Sequence, residues 1–105
     1  MSIQEKIKEQ INNAAIVLYM KGNKELPMCG FSAKAIHILK ACDADFVTVD
    51  VLQDEEIRQG IKAYSNWPTI PQLYIKGEFI GGSDIMSEMF EAQELQTLVR
   101  AAMQA

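Results

Sequence analysis

Four short apolar runs, set at very unequal spacings, constrain this chain more than any other feature. They are "AAIVLYM" (14–20), "DFVTVDVL" (45–52), "QLYI" (72–75) and "FIGG" (79–82). The first is continuously apolar, long enough for a buried strand and short for a helix. The second alternates and is rich in valine, which reads as a strand. Between them lies room for a loop and a helix, so the two strands are expected to run parallel through a right-handed crossover. Only "KGE" separates the last two, and a gap that short forces a tight antiparallel hairpin.

Helical patterns fill the intervals. Ser2 followed by Glu5 reads as a capping box, and Ile3, Ile7 and Ile11 recur at four-residue spacing behind it. Lys21–Met28 reads as a loop, marked by Gly22, Asn23 and Pro27. From Cys29 or Gly30 to about Cys42, the residues Phe31, Ala35, Ile38, Leu39 and Cys42 fit one helical face. Asp54 is placed to cap a helix carrying Ile57, Ile61 and Tyr64. "NWPTIP" (66–71) breaks all regularity. Ser83 or Asp84 is expected to cap a penultimate helix, and "AQELQTLVRAAM" supplies the last. The order α-β-α-β-α-β-β-α-α predicts one α/β domain over residues 1–105, a mixed four-stranded sheet with helices on both faces.

Several function classes are disfavoured by bulk properties. The 105 residues carry a net charge of −4, against the basic balance of nucleic-acid binders. The apolar runs are too short to cross a bilayer. "MSIQEKIKEQI" has neither the apolar stretch of a signal peptide nor the arginine-rich look of a transit peptide, so a cytoplasmic chain is expected. Two cysteines and one histidine make neither a disulfide scaffold nor a structural zinc site.

Cys29 is the leading candidate for chemistry. A thiol at a helix N-terminus faces unpaired N–H groups and the positive end of the macrodipole. Both favour the thiolate, the reactive and metal-ligating form. Lys21, at the end of the first strand, adds positive potential, and Gly30 lets a ligand come close. Ser32 stands where a redox dithiol would carry its second cysteine. Cys42 lies 13 residues on, roughly 20 Å away at helical rise, and reads as a buried structural cysteine too distant for a disulfide. His37 is expected to face solvent or a helix edge. The Ile70–Pro71 bond leads directly into a strand; if cis, it leaves the Ile70 backbone free to pair with an extended ligand, although base rates favour trans. Trp67 reads as surface packing or as a pocket wall. In "GGSD" (81–84), Gly81 and Gly82 permit close backbone approach, and the N–H groups of Ser83 and Asp84 suit a carboxylate, although on this stretch alone a plain turn and helix cap is the stronger reading. Arg58 and Lys62, four apart on a helix, read as solvated surface.

Taken together, "KGNKELPMCGFS" and "NWPTIPQLYIKGEFIGGSDI" resemble the monothiol, CGFS-type glutaredoxins across essentially the whole chain. The resemblance implies a thioredoxin-like fold, a cis bond at Ile70–Pro71 and glutathione binding. By motif, Lys21 and Arg58 would hold the glycine carboxylate of glutathione. The backbone of Ile70 would pair with its cysteine moiety, and Ser83 and Asp84 would hold its γ-glutamyl end. Lys62 receives no role. Some relatives have a cysteine where this chain has Ser83, so accessory thiol chemistry is not expected there. A [2Fe–2S] cluster needs four ligands, generally thiolates. The resemblance implies that Cys29 from each of two chains and two glutathiones supply them, in a cluster-bridged homodimer that delivers clusters to apo proteins. Two other readings are thiol exchange on glutathionylated proteins, for which the long Gly22–Met28 loop implies weak activity, and a regulatory module for a BolA-type partner.

Overall fold

The computed structural model describes residues 1–104. Its architecture grows from β1 (Ile16–Met20), which is buried at every position. β2 (Val47–Asp50) pairs with it in parallel, Val17 opposite Val47 and Met20 opposite Asp50. β3 (Gln72–Ile75) lies antiparallel on its other side, Ile16 opposite Ile75 and Tyr19 opposite Gln72. β4 (Glu78–Gly81) closes the hairpin against β3, so the strand order is β2-β1-β3-β4. Lys76 and Gly77 both take positive φ in that turn, 53° and 82°, as a two-residue turn matched to strand twist requires.

The unbroken apolar run of β1 follows from helices on both faces. Ile16, Leu18 and Met20 point to one side, where they join Ala35 and Leu39 of α2 (Gly30–Ala41), Met86 of α4 (Ser83–Glu91) and Leu95 and Val99 of α5 (Glu94–Met103). Val17 and Tyr19 point to the other, against Ile7 and Ile11 of α1 (Ile3–Asn12) and Ile57 and Ile61 of α3 (Glu55–Ser65). Each fully buried aliphatic or aromatic side chain stabilises the sheet by about 1.5–3 kcal/mol. The mixed four-stranded, three-layer domain anticipated from the run spacing is the observed one.

Local caps explain where elements start. The Ser2–Glu5 capping box forms, and Asp54 Oδ1 accepts from the N–H groups of Glu56 at 3.0 Å and Ile57 at 3.4 Å. Four expectations need correction. The strand expected over 45–52 pairs only from Val47 to Asp50, because Asp50 Oδ1 accepts from Leu52 N at 2.9 Å and folds Val51–Gln53 into a 3-10 turn. Neither Ser83 nor Asp84 caps α4: Gly82 holds that position, and the two are the first helical residues. Phe31 lies 62% exposed rather than in the core, since the first turn of α2 projects beyond the sheet. Tyr64 is partly exposed too, and lays its ring against Tyr74 with centroids 6.1 Å apart. Among the described residues, no helix is long and apolar enough to cross a membrane.

Candidate functional site

Four chain segments meet beyond one end of the sheet: the end of β1 with its loop, the first turn of α2, the 67–71 segment, and the β4–α4 junction. They enclose a cleft of about 420 Å³, lined among others by Lys21, Cys29, Ile70, Ser83 and Asp84. That volume is within the usual range for small-molecule pockets.

Cys29 precedes α2 as its N-cap, in an extended conformation. Partial burial pushes its thiol up. The N–H groups of Ser32 and Phe31, the Ser32 hydroxyl and the charge of Lys21 overcome that, leaving it below the ordinary thiol value. Ser32 does more than lack a sulfur. It is completely buried, and its Oγ accepts from Lys21 N at 3.1 Å. One hydroxyl thus joins the end of β1 to the helix turn that holds the thiolate.

The loop between them is tightly tied. Met28 N donates to Lys21 O at 2.8 Å, and Gly22 N donates to Asp50 Oδ1 at 2.9 Å. Asn23 Oδ1 accepts from Glu25 N and Leu26 N at 3.0 and 2.9 Å. Gly22 has φ +89°, and a Cβ there would collide with Leu26 O and stand 2.7 Å from Met28 N. Only glycine fits that position.

The Ile70–Pro71 bond is cis, as the resemblance implied and against the base-rate reading. Gln72, fully buried, fixes the segment before it: its Nε2 donates to Trp67 O at 3.2 Å and Thr69 O at 3.1 Å, and its Oε1 accepts from Tyr74 OH at 3.0 Å. Among the described residues, no backbone hydrogen bond engages Ile70. Gly82 lies against this segment so closely that a Cβ would be 3.2 Å from Pro71 O. Trp67 is a wall of the cleft, with its ring 6.0 Å from that of Phe79.

Lys62 also lines the cleft, whereas Arg58, one turn earlier on α3, does not. Arg58 stands beside it, Nη1 4.0 Å from Glu55 Oε2, with its Nε buried and without a hydrogen-bond partner. His37 is exposed on α2. Cys42 is the C-cap of α2, half-buried against the core, and burial followed by the neighbouring Asp43 charge pushes its thiol up. Two contributors escaped the sequence reading. Ser32 reads there only as a missing cysteine, and Gln72 only as part of a strand. A polar residue heading an otherwise apolar run was the available signal for Gln72.

Chemically, the cleft presents a thiol held below its ordinary pKa, the cationic side chains of Lys21 and Lys62, an uncommitted backbone at Ile70, and the carboxylate of Asp84 at a helix N-terminus. Lys21 follows β1 and Asp84 follows β4, and β3 lies between, so the two charges emerge from strands about 10 Å apart.

The thioredoxin-like class defined by this sheet and site agrees with the comparisons. The Glutaredoxin family model matches residues 16–80. The chain is 56% identical over 102 residues to a Porphyra purpurea protein called uncharacterized monothiol glutaredoxin ycf64, covering 96% of this chain and 95% of that one. It is 50% identical over 98 residues to Homo sapiens Glutaredoxin-3, covering 93% of this chain but only 29% of that longer protein. Reduced poplar apo GrxS14 superposes with a TM-score of 0.85 at 45% identity, covering 99% of this chain and 95% of that one. The chain belongs to the glutaredoxin family, in its monothiol branch.

Proposed function

We propose that this chain binds glutathione and serves as a cytoplasmic carrier that assembles and transfers a [2Fe–2S] cluster through a glutathione-ligated homodimer. The observation that carries the reading is a single thiol of lowered pKa, Cys29, in a cleft whose charges match glutathione. Lys21 holds the glycine carboxylate, joined by Lys62 at the cleft wall and by Arg58 once it leaves Glu55. The free backbone of Ile70 pairs with the cysteine moiety, and Ser83 and Asp84 receive the γ-glutamyl head. The donor set supports two chains per cluster. Among the described residues, no three His, Cys, Asp or Glu side chains converge on a common point, so one chain offers its cargo one thiolate of four. A second chain and two glutathiones complete the set. Leu26, Met28 and Phe31, all exposed beside Cys29, are an apolar rim suited to that second copy.

The test is anaerobic reconstitution with iron, sulfide and glutathione. Wild type and Cys42→Ser are expected to become coloured and dimeric, and Cys29→Ser to remain colourless and monomeric. A colourless wild-type monomer that rapidly turns over a glutathionylated protein would replace this reading with thiol exchange. There the Cys29 thiolate attacks the glutathione sulfur and releases the protein thiol. A second glutathione thiolate then frees Cys29 as glutathione disulfide forms, since Ser32 cannot resolve the intermediate. A colourless monomer without turnover would leave the module for a BolA-type partner.

A further inference from the structure

We infer that Lys34 completes the end of the cleft that receives the amino-acid head of its ligand, binding the α-carboxylate while Asp84 binds the α-ammonium. This deepens the glutathione reading and rests on it. Lys34 lies on the second turn of α2, outside the residues that line the cleft, and Asp84, which lines it, is the second residue of α4. Lys34 Nζ stands 4.0 Å from Asp84 Oδ1, with the two side chains 47% and 87% exposed. Neither group is therefore consumed by the pair, since exposed ion pairs are weak.

Charge ordering assigns the role. An α-amino acid carries its ammonium and carboxylate on one carbon. If Asp84 takes the ammonium, its own charge is drawn toward the ligand's carboxylate, and the two repel. The N–H groups that open α4 offset part of this. A cation beside Asp84 offsets the rest, and Lys34 is the one the fold puts there. Ammonium, Asp84, Lys34 and ligand carboxylate then form a closed ring in which every charge has two opposite neighbours. Lys21, on the far side of β3, cannot share this task while holding the glycine end. No cation within the "GGSD" stretch could do it either, because the stretch has none. The residue comes from a different helix, brought alongside by packing.

The test uses calorimetric titration of the reduced protein with S-methylglutathione and with an analogue in which 4-aminobutanoate replaces the γ-glutamyl residue. The analogue keeps the ammonium and lacks only the α-carboxylate. Lys34→Gln is expected to bind S-methylglutathione about fivefold more weakly than wild type and to bind the analogue equally well. Lys34→Arg is expected to retain the wild-type preference. Unchanged or tighter binding of S-methylglutathione by Lys34→Gln would overturn the inference, as would an equal loss toward both peptides. If wild type binds S-methylglutathione at no accessible concentration, the glutathione reading itself fails, and this one with it.

Discussion

Replacing Ser32 by alanine separates the two tasks of one buried hydroxyl. In the native protein Ser32 Oγ accepts from Lys21 N at 3.1 Å, and its hydroxyl helps hold the Cys29 thiol below its ordinary value. Alanine leaves the Lys21 N–H without a partner. An unsatisfied buried donor costs about 1–3 kcal/mol; this bond is only part-buried, so about 1–2 kcal/mol is expected. For a domain of this size each kcal/mol lowers Tm by about 4–8 °C. Loss of a hydrogen bond to the charged form also moves the Cys29 titration upward. The sign of the pH dependence follows. The folded-state pKa of Cys29 lies below its unfolded value, so its contribution to stability is present above the unfolded value and is lost as pH falls through the folded one. The stability gap between wild type and Ser32→Ala should therefore be wider above the ordinary thiol range, about 8.5, than in mild acid. Urea unfolding at both pH values measures the gap. The pH profile of iodoacetamide alkylation, in a Cys42→Ser background, measures the titration. Equal stability at both values together with an unmoved alkylation profile would refute the reasoning.

In the wild type, Cys29 should be alkylated at lower pH than a free thiol and Cys42 only at higher pH, with peptide mass spectrometry distinguishing the sites; the reverse order would contradict the opposite environments of the two sulfurs. Gly22→Ala should lose about 1–3 kcal/mol in urea unfolding, because its φ is +89° and its Cβ would meet backbone, whereas Gly30→Ala, where a Cβ meets nothing within 4 Å, should unfold as wild type does. Lys62→Gln should bind S-methylglutathione about fivefold more weakly by calorimetry; unchanged affinity would remove Lys62 from the proposed site.

The layers of this fold could be read from the sequence because they depend on period and spacing. The run over 14–20 names a strand covered on both sides, and "KGE" names a hairpin. What failed was local competition. Alternation continues through Val51, but the Asp50 side chain captures the backbone first, and short polar side chains do this readily. Phe31 fits the helical period, yet its turn overhangs the sheet, where period says nothing about cover. Arg58 and Lys62 share a helix face, so spacing alone could not decide which one lines the cleft. The gathering of Lys21, Cys29, Ile70, Ser83 and Asp84 is a long-range property, visible only through motifs that the resemblance tied together. The hydrogen bonds of Ser32 and Gln72 belong to the same class: each joins segments whose proximity no local pattern encodes.

The two cysteines show how one helix can give the same functional group opposite characters. Cys29 is the N-cap of α2 and Cys42 its C-cap. At the first end, the N–H groups of Ser32 and Phe31 draw the thiol pKa down; at the second, the cap N–H is itself spent on carbonyls of the last turn. A negative sulfur is favoured where donors are unclaimed and disfavoured where burial and then the charge of Asp43 act against it. The twelve residues of α2 hold the pair roughly 20 Å apart and also keep them from oxidising to each other. The reactive thiolate consequently has no covalent partner within its own fold. Any disulfide that it forms is therefore completed by a molecule from outside the fold, and Lys21, Lys62 and the Ile70 backbone are what such a molecule meets beside the sulfur.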